Sequence, residues 1–412
     1  KSLFDSFSGG ANVAYFYKRK GLRVTTNDIM SYPYHIARAV IENNSETISD
    51  EELAALLEKN PDAGTFITDT FYGYYYTKPI LQFLDNMWAN IQKLKGYKKD
   101  IALAALGHVC KAKAVFGMFN RSKMNRTRKI SDLDEGYRSS SIGNIPVSEF
   151  VTAFKKYVRQ INGLVYDNGQ ENAAHNDDIL KVLPEVKADV IYCDPPYITE
   201  FGKNDYETYY HFVEGLMTCW KDKELLDTPR RNFASRTKYN KESIAELIGN
   251  VVTAAGKRFS HILISYRDKA FPTENELKDM VAGAYGHVSV KRIAMTYGLV
   301  RRETDAGGKY TNELLFIGKK TAAGAANAGC ANDDILDAVA ASVPTGNHTT
   351  IIGDIRLSEV NLLAAEGISL SDNNVQGDKE FSFILTHAGQ NKNGDFFTVE
   401  ELSARHQTSI NK

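Results

Sequence analysis

The chain opens on SLFDSF (residues 2–7), where apolar and polar positions alternate as in a strand, and then meets Ser8-Gly9-Gly10-Ala11-Asn12. The apolar-rich stretch VAYFYKRKG follows, and after it Leu22-Arg23-Val24-Thr25-Thr26-Asn27-Asp28. This order predicts strand, glycine turn, helix and a second strand that ends on an acid. The right-handed crossover rule makes it a parallel βαβ unit.

Between residues 30 and 160 the period changes. IARAVIENN, DEELAALLEKN, PILQFLDNMWANIQKLKG, DIALAALGHVCKAKAVFGMF and VSEFVTAFKKYVRQINGL all carry apolar residues at helical spacing. They predict a mainly helical insertion over 31–159. Strand character returns in ADVIYC (188–193) and in HILISY (261–266). The helical pattern ESIAELIGNVVTAA precedes the latter strand and ENELKDMVAGAYG follows it. Val288 to Met295 and Glu313 to Ile317 read as a closing pair of strands. Strands alternating with helices predict an α/β fold, an open Rossmann-like sheet with helices on both faces, assembled from residues 1–30 and 160–320. Thr321 to Ala331 is Ala- and Gly-rich and nearly uncharged, which makes 321–332 a linker. Residues 333–412, with the strand-like TTIIGDIRL and FSFILTH, form a small appended α+β module of unknown role.

Composition narrows the class. A length of 412 residues corresponds to about two to three domains. The 43% hydrophobic and 25% charged content is that of a soluble globular protein. No apolar run is long enough to span a membrane, and KSLFDSFSGG lacks the layout of a secretory signal. Because the chain starts at Lys1, almost directly on a strand, native residues upstream of it are expected. Cys110, Cys193, Cys219 and Cys330 form no CxxC pair, so neither a disulfide framework nor a zinc site is indicated. A reducing, cytoplasmic setting fits. The net charge of −1 hides an asymmetry: residues 319–412 carry 7 Lys/Arg against 12 Asp/Glu, so the body is mildly basic and the tail acidic.

The strongest chemical signal is Asp194-Pro195-Pro196-Tyr197, directly after the strand VIYC. Two prolines fix two φ angles and remove two backbone donors, leaving a rigid loop at the carboxyl edge of the sheet, where open α/β sheets bind ligands. A carboxylate, bare carbonyls and an aromatic face then stand within one loop. Asp194 and the Pro195 carbonyl can accept hydrogen bonds from an exocyclic amine while Tyr197 stacks on its ring. A solvent-facing Pro-Pro turn is the plainer alternative. Phe7, Gly9 and Gly10 form a turn that a ligand can approach closely, and Asp28 sits where a carboxylate binds ribose hydroxyls. Asp177 and Asp178 precede an apolar pair and serve equally as a helix N-cap. Arg121, Lys123, Arg126, Arg128 and Lys129 crowd into nine residues without an acid, a run suited to phosphate contact or to a solvated loop. Phe71-Tyr72-Gly73-Tyr74-Tyr75-Tyr76 can stack on bases or pack in a core. The nine histidines show no paired metal-ligand spacing, so no metal is assigned.

Together these residues resemble the amino-methylating DNA methyltransferases, in particular the adenine-N6 branch. The resemblance covers about residues 2–30 and 160–318, and includes Tyr206 to Phe212, Ile264-Ser265-Tyr266 and Asn312 to Phe316. It implies transfer of a methyl group from S-adenosylmethionine to the N6 amine of a flipped-out adenine in DNA. By that resemblance Phe7, Gly9 and Gly10 hold the methionine part of the cofactor and Asp28 its ribose. Asp178 holds its adenine, with Asp177 as rival, and Asp194 to Tyr197 form the catalytic tetrad. The insertion falls where related enzymes place target recognition. The setting implied is a prokaryotic or phage-infected cell, and the sequence does not reveal a cognate restriction nuclease. The family usually carries a further cofactor-binding segment, with a Gly and a Lys, upstream of the glycine turn. Cytosine-N4 or RNA methylation on the same fold, or a silent nucleic-acid-binding protein, are the alternatives.

Overall fold

The computed structural model describes residues 1–114 (73 apart), 119, 145–199, 205–297 (222 and 229 apart) and 309–320, with short strand pieces at Ile351–Ile352, Ile355–Arg356, Phe383–Ile384 and Phe396–Phe397. The βαβ start is present as β1 (Ser2–Asp5), α1 (Asn12–Arg19) and β2 (Arg23–Asn27). Six further segments follow: α2 (Ser31–Ala37), extended by a π turn (Arg38–Glu42), α3 (Asp50–Leu57), α4 (Phe66–Phe71), α5 (Lys78–Ile91), α6 (Gly96–Ala112) and α7 (Val147–Leu164). The sheet resumes with β3 (Ala173–His175), the short α8 (Ile179–Val182) and β4 (Val190–Cys193). Then come β5 (Ile198–Thr199), α9 (Tyr206–Thr218), α10 (Lys241–Gly256), β6 (His261–Arg267), β7 (Ala270–Phe271), α11 (Glu274–Tyr285), β8 (Gly286–Tyr297) and β9 (Lys309–Lys320).

Seven strands form one sheet in the order β3-β2-β1-β4-β6-β9-β8. All the pairings from β3 to β6 are parallel, while β9 runs against both of its neighbours. Strand order reverses direction between β1 and β4, whose register sets Asp5 opposite Tyr192. Such a switch point leaves a crevice at the carboxyl ends of the two strands.

Alternation along each strand divides the core between the two faces. Leu3, Val190, Leu263 and Leu315 pack with the helical segment 31–164. Phe4, Ile191, Ile262, Ile264 and Phe316 pack with α10 and α11. The helical segment thus shares a core with one face of the sheet. Its central helix α6 is buried from Asp100 to Lys111, as expected of a helix apolar nearly all round. Glu42 in the π turn accepts a hydrogen bond from the Ala174 amide at 2.7 Å and so steadies the edge strand β3.

The aromatic run at 71–76 takes the core reading. Phe71, Tyr75 and Tyr76 are fully buried, whereas Tyr72 is exposed. Phe212 of α9 lies at their centre, with ring centroids 5.0 to 5.6 Å from those of Phe71, Tyr75, Tyr76, Phe119 and Trp220. This cluster ties the helical segment to the helix that follows the Asp194 loop. Phe212→Ala is expected to destabilise the protein by about 3–5 kcal/mol, because a ring is deleted from a site whose neighbours cannot all close in. Urea unfolding of the variant against the parent measures it.

Candidate active site

A cleft open to solvent lies over the carboxyl ends of β1, β2, β3 and β4. Phe7, Gly9, Asp28, Asp177, Asp178, Asp194 and Pro196 all line it. Residues that are far apart in sequence therefore meet because β1, β2, β3 and β4 are neighbours in the sheet.

The turn after β1 is built for close approach. Gly9 sits at φ +47°, a left-handed conformation that favours glycine, and its amide donates to Asp28 Oδ2 at 3.0 Å. The Met30 amide donates to Asp28 Oδ1 at 2.9 Å. Each oxygen keeps a lone pair for a further donor. Burial raises the Asp28 pKa to about 6, and the two amides and Arg236 limit the rise against Glu214. Gly10 is buried within the turn.

Asp177 and Asp178 both reach the cleft. Asp178 caps α8, accepting from the Leu180 amide at 2.8 Å. Asp177 accepts from Lys181 at 3.1 Å, and its backbone carbonyl accepts from Asn27 Nδ2 at 3.2 Å. The capping role and the cleft-lining position of Asp178 coexist.

Asp194 follows β4 by one residue and is half-buried. Pro196 faces the cleft beside it, while Pro195 borders a small apolar void with Phe7, Cys193 and Ile264. Tyr197 is 8% exposed. Its ring meets Tyr266 edge-on at 6.4 Å, and the Arg267 guanidinium stands 5.7 Å from its centroid. The ring therefore braces the loop, and the aromatic lining of the cleft comes from Phe7, Tyr32, Tyr206, Tyr210 and Tyr239. The segments around Ser265 and Glu313 join next to this loop, with a 2.8 Å hydrogen bond from Ser265 Oγ to Glu313.

Several further charged residues stand in or beside the cleft. Asp5, the last residue of β1, is 2% exposed, and its Oδ1 has no hydrogen-bond partner. Burial, then Asp194, then Asp28 push its pKa to about 8. Lys111 brings an ammonium from α6 into the cleft, 4.9 Å from the centre of the Tyr210 ring. Glu207 and Glu214 are fully buried on α9. Arg121, Lys123, Arg126, Arg128 and Lys129 lie outside the described residues. Among the described residues, no group of three or more His, Cys, Asp or Glu side chains is arranged to hold a metal, and no helix is long and apolar enough to cross a membrane.

The family model for D12 class N6 adenine-specific DNA methyltransferases matches residues 1–243, from β1 through α9 into the start of α10. The chain belongs to this family. As a DNA adenine methyltransferase it requires a methyl donor and a DNA substrate. It is 28% identical over 322 residues to the Type II methyltransferase M2.HphI of Haemophilus parahaemolyticus, covering 77% of this chain and 90% of that protein. The modification methylase StsI of Streptococcus sanguinis and the Type II methyltransferase M.FokI of Planomicrobium okeanokoites are each 23% identical over 77% of this chain. The chain spans about half the length of these last two, 47% and 48%. No solved structure matches the methyltransferase.

The pKa of Asp5 makes a stability prediction. It lies at about 8 in the folded protein against 3.8 ordinarily, so the folded protein keeps a proton that the unfolded chain releases. The associated stability is fully present below 3.8 and is lost as pH rises through about 8. The methyltransferase without ligand is expected to lose stability over that window, and Asp5→Asn is expected to remove most of the slope. Urea midpoints of both proteins at either end of the window measure it.

Proposed function

We propose that the methyltransferase uses S-adenosylmethionine as donor and methylates the N6 amine of an adenine flipped out of DNA, with Asp194 and the Pro195 carbonyl as its catalytic acceptors. The observation that carries this reading is the opening of Asp194 and Pro196 onto the same cleft as Phe7, Gly9, Asp28, Asp177 and Asp178. The residues fit the donor. Asp194 and Asp28, with Asp5 buried behind them, give the cleft the acidic surroundings that suit a cationic donor. Asp28 suits vicinal ribose hydroxyls, and Ile29, Met30 and Ile179 with Asp178 suit an adenine. When bound, the donor supplies an electrophilic methyl on a sulfonium.

The chain's own residues do the rest. The N6 lone pair of adenine is delocalised into its ring and is a weak nucleophile. Asp194 and the Pro195 carbonyl accept the amine hydrogens, which turns the lone pair out of the ring plane and prepares the amine to lose a proton. Tyr197, held by Tyr266 and Arg267, fixes the loop that carries these acceptors. Tyr206, Tyr210 and Tyr239 offer aromatic surface to a flipped base, whose unstacking costs a few kcal/mol. Positioning in a site of fixed dipoles then supplies much of the rate.

In this reading the cleft takes the cationic donor and the neutral base, while the DNA backbone meets the outer surface of the mildly basic body. The helical insertion 31–159 serves target recognition, with the basic run at 121–129 on phosphates. The relatives named above are Type II and modification methylases, which favours a role in restriction-modification.

Labelled methyl transfer to unmethylated DNA, followed by nucleoside analysis, tests the reading. N6-methyldeoxyadenosine is expected from the parent protein. Asp194→Ala is expected to lose transfer by a factor on the order of 10² or more while still binding the donor. Loss of donor binding together with transfer would move Asp194 to the donor site, and unimpaired transfer would remove it from the mechanism.

A further inference from the structure

Lys181 pairs with Asp177 at 3.1 Å and Lys223 lies 3.9 Å from Glu214, but a guanidinium bridges the acids next to Asp28. Arg236 lies on the loop before α10, half exposed at the side chain. Its Nε and Nη2 donate to Glu207 Oε1 at 3.0 and 2.7 Å, and its backbone amide donates to Glu207 Oε2 at 2.6 Å. Nη2 also donates to the Ile29 carbonyl at 3.1 Å and lies 3.5 Å from Glu214 Oε1. Both glutamates are fully buried at the side chain.

These contacts join three walls. Ile29 follows Asp28 directly. Glu214 accepts from the Ser31 and Tyr32 amides at 2.9 and 3.0 Å and so holds the start of α2. Thr237, one residue past Arg236, lines the cleft and accepts from the Glu207 amide at 2.9 Å. A single guanidinium fork therefore fastens the 235–239 loop and α9 to the backbone that carries Asp28. Its planar, multi-donor geometry is what such a junction needs, and a lysine ammonium cannot reproduce it.

Charge adds a second effect. The groups that face Asp28 are Asp5 from β1, Glu214 from α9 and Arg236 from the loop. Of these only Arg236 favours the ionised carboxylate.

We propose that Arg236 is a positioning residue for the methyl donor: it clamps the 235–239 loop onto the Asp28–Tyr32 segment and supplies the positive charge against which Asp28 receives the donor's ribose. The proposal rests on the S-adenosylmethionine reading above.

Two measurements on the full chain test it, for the parent, Arg236→Lys, Arg236→Gln and Arg236→Ala. The first is the carboxyl titration of Asp28 in the donor-free protein, followed by carbon NMR. Asp28 is expected to titrate higher in the Gln and Ala variants and near the parent value in the Lys variant. The second is calorimetric binding of S-adenosylmethionine across pH. The Lys variant is expected to bind more weakly by a constant factor at every pH, because the fork is lost and the charge is kept. The neutral variants are expected to lose a further factor that grows as pH falls towards about 6, in step with the rise in the Asp28 pKa. An unchanged Asp28 titration in the neutral variants, or a loss of affinity parallel to that of the Lys variant at every pH, would overturn the proposal. If the parent itself fails to bind the donor, the S-adenosylmethionine reading fails, while the titration still decides the electrostatic role of Arg236.

Discussion

Asp5, Asp28 and Asp194 stand at or one residue past the carboxyl ends of β1, β2 and β4, three adjacent strands. Bringing carboxylates together in a partly buried crevice is unfavourable, and a site built this way favours either a proton or a cationic ligand. The protein manages the conflict in part with backbone amides: those of Gly9 and Met30 satisfy Asp28. Asp5 is left with an unpartnered oxygen and a raised pKa. In the proposed reading a cationic methyl donor in the crevice offsets that residual cost, so the feature that weakens the ligand-free protein favours the bound one.

Much of the surrounding structure keeps this crevice in shape. The helical segment shares a core with the face of the sheet that carries Leu3 and Val190. Its reach extends to the site through Tyr32 and Lys111, which line the cleft, and through Glu42, which holds β3. The aromatic cluster around Phe212 fixes α9, and α9 in turn presents Tyr206 and Tyr210 to the cleft and Glu207 and Glu214 to Arg236. Shape at the cleft is thus determined by residues contributed from both sides of the Asp194 loop in sequence.

What the sequence made legible follows from periodicity and local turn chemistry. The βαβ start, the five helical patterns of the insertion, the Asp194 strand, the β6 strand and the closing pair β8 and β9 all appear where alternation or helical spacing placed them. β3 did not, because three residues are too few for a period to register. The glycine turn and Asp194-Pro195-Pro196-Tyr197 were readable because each motif is a local conformational requirement. The coupling of Asp5 and the contacts of Arg236 were not, because both arise from long-range neighbours. Asp5 matters through its register with β4, and Arg236 through contacts with Ile29, Glu207 and Glu214. The burial of Tyr197 against Tyr266 was hidden for the same reason: an exposed-looking aromatic after two prolines gives no hint of the strand that packs on it. Asp178 shows the converse, since capping a helix and facing a cleft are compatible and the local pattern alone could not rank them.

In the proposed reading a cation is received by carboxylates that are partly protonated beforehand. Calorimetric titration of S-adenosylmethionine into the full chain near neutral pH, repeated in buffers of different ionisation enthalpy, tests this directly through linkage between ligand and proton binding. Net release of protons to the buffer on donor binding is expected, diminished in Asp5→Asn. Binding with no dependence on the buffer, or with proton uptake, would contradict it.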